Sequence, residues 1–150
     1  MENTVIEHLV KTIWFDTTGL RLDPTASLTL AVDSDLYLAT VVFFGSQHGS
    51  LTIITGTGLA DLIASRMFQA PLETISCDDV HDSFGELANV LAGNLKNDFF
   101  GTADLSRPVV MEGRDSLTGA LAIDAIFQKA FVCENSELVL VQVCQVEPSL

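Results

Sequence analysis

The chain has 150 residues, 48% of them hydrophobic and 18% charged, which suits one ordinary domain with a sizeable core and excludes a disordered chain. Its 20 acidic and 7 basic residues give a formal charge of -13. That field repels nucleic-acid phosphates and anionic lipid headgroups, so neither nucleic acid nor a membrane is an expected partner.

The three cysteines, Cys77, Cys133 and Cys144, form no CxxC pair and show no metal-ligand spacing. They fit reduced thiols, and a cytoplasmic location is expected. The opening Met1-Glu2-Asn3-Thr4 shows no signal peptide. No uninterrupted apolar stretch approaches the ~20 residues that span a bilayer.

The first segment, Thr4 to Phe15, carries Val5, Ile6, Leu9, Val10 and Ile13 at helical spacing and ends at Asp16-Thr17-Thr18-Gly19. Asp23-Pro24 reads as a turn. From Ser27 to Ile54 the pattern is that of three antiparallel strands. Leu28, Leu30 and Val32 alternate in the first, Leu36 to Phe44 forms the second, and Leu51 to Ile54 follows the Gly45–Gly49 turn. Gly56-Thr57-Gly58 opens a second helix with an apolar stripe of Leu59, Leu62, Ile63, Met67 and Phe68, which must stop before Pro71. Ser76 reads as the N-cap of a third helix reaching about Asn97, with Asp78 and Asp79 where the helix dipole favours acids. Strands are expected again over Pro108–Met111, Gly119–Val132 and Leu138–Val146, the last two joined by a turn at Glu134–Glu137. The order helix, strands, two helices, strands predicts a single α/β (α+β) domain over residues 1–150, a mainly antiparallel sheet packed with about three helices.

Advancing about 100° per residue along the third helix puts Val80, Phe84, Leu87, Leu91 and Leu95 in one buried arc. Asp82, Glu86, Asn89, Gly93, Lys96 and Asn97 fall on the opposite arc. Glu86 and Asn89, one turn apart, therefore project side by side, with Cβ atoms roughly 5–6 Å apart. Gly93 lies on the same stripe, although an interior glycine costs a helix about 1 kcal/mol relative to alanine. Either a partner comes close there, or the site is simply a tolerant surface position.

The string from Asp82 to Lys96 resembles the active helix of the CheC/CheX/FliY family of response-regulator phosphatases. The family signature is an acid or serine, then E-x-x-N, with a proline further on. Asp82, Glu86 and Asn89 match it in register, and the length and single motif resemble the CheX type. Two departures stand out. Pro108 lies slightly nearer to the asparagine than the family proline does, which implies a shortened loop. Glu7 is followed at i+3 by Val10, so the first helix lacks the second E-x-x-N that CheC-type members often carry.

The resemblance implies a phosphatase for aspartyl-phosphate whose partner is the phosphorylated receiver domain of a response regulator. That receiver brings its own Mg²⁺ and lysine, so no metal or cofactor is expected on this chain. Glu86 would pair with the receiver lysine. An amide carries a donor and an acceptor in one plane, so Asn89 is suited to hold the attacking water. Asp82, Gly93 and Lys96 are the further partner-binding residues. The resemblance also implies a homodimer, and the strands after Gly119 are the candidate free edges. A second hypothesis is a non-catalytic docking or adaptor module for a response regulator or flagellar switch component, because Glu86 serves binding alone equally well.

Simpler readings cover the other polar clusters. Asp78, Asp79, His81 and Asp82 point all around a helix, which suits acids at an N-terminus better than a metal site. His48 has no paired nucleophile, and Gly56-Thr57-Gly58 lacks the lysine of a phosphate loop. Trp14 and the phenylalanines at 43, 44, 68, 84, 127 and 131 are expected in the core, and Phe99 and Phe100 at a subunit contact.

Overall fold

A computed structural model describes residues 2–26, 35–113, 125–134 and 137–146. Helix α1 (Glu2–Thr18) buries Ile6, Val10 and Trp14, and leaves Val5 and Phe15 half exposed. Thr18 ends it: its hydroxyl donates to the Trp14 carbonyl at 2.7 Å and accepts the Leu20 N–H at 3.0 Å. The chain then enters β1 (Leu22–Thr25), β2 (Leu36–Phe44) and β3 (His48–Gly56), followed by α2 (Thr57–Phe68) and α3 (Cys77–Leu95). Two short strands come next, β4 (Asp104–Leu105) and β5 (Val109–Glu112), and then the hairpin of β6 (Phe127–Cys133) and β7 (Glu137–Val146).

All seven described strands join one antiparallel sheet in the order β1-β6-β7-β3-β2-β4, with β5 also paired to β2. Strand alternation sends Tyr37, Ala39, Val41, Phe43, Leu51, Ile53, Val139, Val141 and Val143 to the face that packs with the three helices. Leu36, Leu38, Ile54, Ala130 and Leu140 cluster separately, at the alternate positions of the same strands. The class is α+β, as expected. No helix among the described residues is long and apolar enough to cross a membrane.

Several local expectations are corrected. Asp23-Pro24 is not a turn but the middle of β1, which pairs with β6 from Leu22 opposite Cys133 to Thr25 opposite Ala130. A proline is tolerated there because β1 is the outermost described strand on that side, where one row of backbone groups needs no ladder partner. The same pairing covers Ala130–Cys133 of β6, and β7 lies between β6 and β3, so β7 is not the free edge expected for a homodimer. Phe44 and Phe68 are 44% and 48% exposed rather than core. Phe44 alternates with the buried Phe43, and Phe68 ends α2 beyond the buried Leu59, Ala60, Ile63 and Ala64.

Phe100 is fully buried and stacks on Phe43 at 3.9 Å, so it is not available for a subunit contact, and Phe99 packs partly against the core. The third helix ends at Leu95 rather than Asn97 and passes into a π-turn over Lys96–Phe100. The expected strand around Leu28, Leu30 and Val32, the first part of the one from Gly119, and Asn135-Ser136 of the turn lie outside the described residues.

Candidate active site

The start of α3 is fixed by a reciprocal cap. The Ser76 hydroxyl accepts the Asp79 N–H at 3.1 Å, and the Asp79 carboxylate accepts the Ser76 N–H at 3.0 Å. From that cap the helix runs unbroken from Cys77 to Leu95. Val80, Phe84, Leu87, Leu91 and Leu95 are at most 1% exposed, and burying this arc fixes the helix's rotation about its axis. The opposite side is thereby turned outward. Asp82 and Glu86 are exposed, while Asn89, Gly93 and Lys96 are half-buried. The structure thus brings Asp82, Glu86, Asn89 and Gly93 onto one stripe, with Lys96 next as the first residue of the π-turn.

The two glycines of α3 differ in what surrounds them. A Cβ built on Gly93 meets nothing within 4 Å among the described residues, so none of them requires glycine there. A Cβ on Gly85 would stand 3.3 Å from Val110 Cγ2 and 3.4 Å from Pro108 Cγ. Gly85 therefore lets the segment around Pro108 lie against the helix immediately beside Glu86. That segment is held from behind by β2: the Ser106 hydroxyl accepts the Val42 N–H at 2.9 Å, and the Ser106 N–H donates to the Val42 carbonyl at 2.9 Å. Between helix and segment lies an open groove of about 310 Å³ lined by His81, Asp82, Gly85, Glu86, Pro108 and Val110. Asn89, one turn beyond Glu86, is not among the residues lining it.

One polar cluster flanks the groove. Tyr37 on β2 hydrogen-bonds Glu112 on β5, and burial followed by this acidic neighbour holds the phenol above its usual range. His81 on α3 places Nε2 3.8 Å from Glu112 Oε2 and meets the Tyr37 ring edge-on at 5.7 Å. Among the described residues no three His, Cys, Asp or Glu side chains gather as a metal site, and Asp78, Asp79, His81 and Asp82 are no exception.

Pattern reading along the helix missed His81, Gly85, Val110 and Glu112. A second interior glycine next to Glu86 was the available signal, since it too is costly without a close neighbour. An isolated acid–amide pair on a helix can do little chemistry alone. It offers no hydroxyl or thiol nucleophile, but it can dock a cation and orient a water.

The folded chain resembles solved structures of chemotaxis proteins. CheX from Vibrio vulnificus is 19% identical, with 94% of this chain and 93% of that chain covered and a TM-score of 0.69. A CheX–CheY–BeF3–Mg²⁺ complex from Borrelia burgdorferi matches at 14% identity over 95% of this chain and 96% of that one, with a TM-score of 0.72. FliY from Thermotoga maritima matches at 15% identity, 97% and 90% coverage and a TM-score of 0.58. At these identities the likeness establishes the fold alone. Comparison with curated protein sequences finds no match. The family model described as "Chemotaxis phosphatase CheX" matches residues 37–128, more than half of the chain and all of the helix that carries Glu86 and Asn89, and the protein belongs to that family.

Proposed function

We infer that the protein is a phosphatase for the phosphoaspartate of a response-regulator receiver domain, acting through the outward stripe of α3. The observation that carries this is the exposed Glu86 one turn before the half-buried Asn89 on the same outward stripe of an unbroken, capped helix. Family membership and the relative solved in complex with CheY support it.

In this reaction water attacks phosphorus, the bond from phosphorus to the aspartyl oxygen breaks, and inorganic phosphate leaves beside a free carboxylate. The receiver contributes its Mg²⁺ and lysine. Positioning and charge stabilisation are what remains for the phosphatase to supply. Glu86 pairs with the receiver lysine and fixes the register of α3 on its partner. Asn89 enters the receiver pocket from one turn away and holds the water in line with the leaving oxygen. Because the amide needs no change of protonation, its contribution is insensitive to pH in the neutral range.

Asp82, Gly93 and Lys96 border the contact. The net charge of -13 gives no long-range steering toward an acidic receiver pocket, so association relies on short-range contacts.

The test is release of phosphate from a labelled CheY-type receiver in Mg²⁺. Asn89→Ala is expected to lower kcat by ~10²-fold or more, as loss of an oriented hydrogen bond does elsewhere. Glu86→Ala is expected to raise KM chiefly. Wild-type turnover by Asn89→Ala refutes the water-orienting role. Binding without accelerated release, even by the wild-type chain, favours the adaptor alternative.

A further inference from the structure

The groove beside Glu86 is held open by two fixed walls. One belongs to α3, whose far side is buried, and the other is paired to β2, with Val109 opposite Thr40 and Val110 opposite Ala39. Pro108 and Val110 also stand against Gly85, where an added Cβ would lie 3.3 Å from Val110 Cγ2 and 3.4 Å from Pro108 Cγ. A groove formed in advance costs a ligand no ordering of its walls. Its lining changes character from inside to outside: Gly85 is buried, Pro108 and Val110 are half-buried, and the Asp82 and Glu86 carboxylates are exposed. No lysine or arginine is among the residues lining it.

The two carboxylates have different reasons to be there. Asp78 and Asp79 occupy the first turn of α3, where the helix dipole favours acids, but Asp82 lies beyond that turn. With Asp78 and Glu86 it makes an i, i+4 series of like charges, which destabilises a helix. Among the described residues no ion pair to Asp82 or Glu86 offsets that repulsion. The groove, about 310 Å³, has room for one long side chain. Carbon on the inside and carboxylates at the rim suit a lysine or arginine, whose methylene stem packs on apolar surface while its charged head stays in water. A guanidinium also meets a carboxylate at two points.

Resting on the phosphatase inference above, we propose that this groove is a specificity pocket for a second basic side chain of the receiver domain. The receiver's catalytic lysine pairs with Glu86, and a further lysine or arginine lies over Pro108 and Val110 with its charge at Asp82. Receivers that present two cations one helical turn apart then fit, and those with the catalytic lysine alone fit less well. The second pair supplies a local attraction that the net charge of -13 does not.

The test is the Kd for a CheY-type receiver held in its active form by beryllofluoride and Mg²⁺, measured for the wild type, Asp82→Asn and Asp78→Asn. Asp78→Asn removes the same charge from the same helix, but Asp78 does not line the groove. Asp82→Asn is expected to raise Kd roughly three- to tenfold, and Asp78→Asn less than about twofold. Each exposed lysine and arginine around the receiver's phosphorylation pocket, the catalytic lysine excepted, is then changed to alanine and combined with Asp82→Asn in a double-mutant cycle. One of them is expected to couple to Asp82 by a similar factor. Equal changes in the Asp78 and Asp82 variants overturn the proposal, because a general field then explains both, and so does a set of cycles with no coupled residue. Urea unfolding should find Asp82→Asn no less stable than the wild type; a loss of stability would make Asp82 a structural residue and overturn the pocket. Phosphate release is followed in parallel. Coupling at Asp82 without release supports the pocket while refuting the phosphatase activity. Release with kcat/KM unchanged by Asp82→Asn overturns the pocket alone, and neither complex nor release overturns both.

Discussion

Consider Gly93→Ala on the outward stripe of α3. The added Cβ meets no atom of the described residues within 4 Å, so the methyl group clashes with none of them. Position 93 is still inside the helix, which ends at Leu95, and alanine there restores about 0.5–1 kcal/mol of helix stability. For a domain of this size each kcal/mol moves Tm by about 2–4 °C, so calorimetry should show a rise of about 1–4 °C. Docking should respond in the opposite direction. If the receiver packs against the stripe one turn after Asn89, the methyl group overpacks that contact at a cost of about 1–3 kcal/mol. Phosphate release from a labelled receiver should then show kcat/KM lowered roughly five- to 150-fold, mostly through KM. A more stable protein with unchanged kcat/KM would mean that no partner approaches Gly93 and that its glycine is merely tolerated. A lowered Tm would contradict the open space itself.

Three further outcomes test the framework behind the site. Gly49→Ala places a Cβ 2.3 Å from the Cys144 carbonyl oxygen and 2.6 Å from the Phe100 ring, so β3 must move away from β7 and from the Phe43–Phe100 stack. A loss of at least ~1–3 kcal/mol should appear in urea unfolding, and an unchanged midpoint would contradict the packing. Ser76→Ala removes the cap of α3 and should cost about 1 kcal/mol in the same assay, with a loss below the error of the measurement counting against the cap. Cys133 is the pH probe. Burial pushes its thiol from the usual 9.0 to about 11, with Trp14 opposing the shift and Glu134 and Glu137 adding to it. Between those values the unfolded chain has lost the proton and the folded chain keeps it, so the unfolded state binds fewer protons and stability falls as pH rises. The slope is about 1.4 kcal/mol per pH unit, for a total of ~2–3 kcal/mol. Urea unfolding under reducing conditions should show this alkaline loss, smaller in Cys133→Ala but not abolished, because Tyr37 is also raised. An identical alkaline profile for Cys133→Ala would refute the assignment.

The amino-acid sequence by itself determined α3 and what faces outward on it. A cap at Ser76 and apolar residues at a 3.6-residue period are local signals, and they fix both where the helix starts and which arc is buried. The outward register of Glu86 and Asn89 follows without reference to any distant residue. The cores of β2, β3 and β7 were legible for a similar reason, since a run of β-branched, aliphatic and aromatic residues is read within each strand.

Tertiary structure decided everything that depends on which segments meet. Asp23-Pro24 carries turn residues, yet β6 recruits it as a strand, because an outer position asks for backbone pairing on one side only. Phe100 follows a helix end like any exposed residue, but the π-turn delivers it onto Phe43. The groove beside Glu86 exists because β5 returns along β2 and lays Pro108 and Val110 on Gly85, with Glu112 reaching toward His81. Those contacts join residues far apart in the chain. Local periodicity carries no record of them, and only the closing of the sheet selects them.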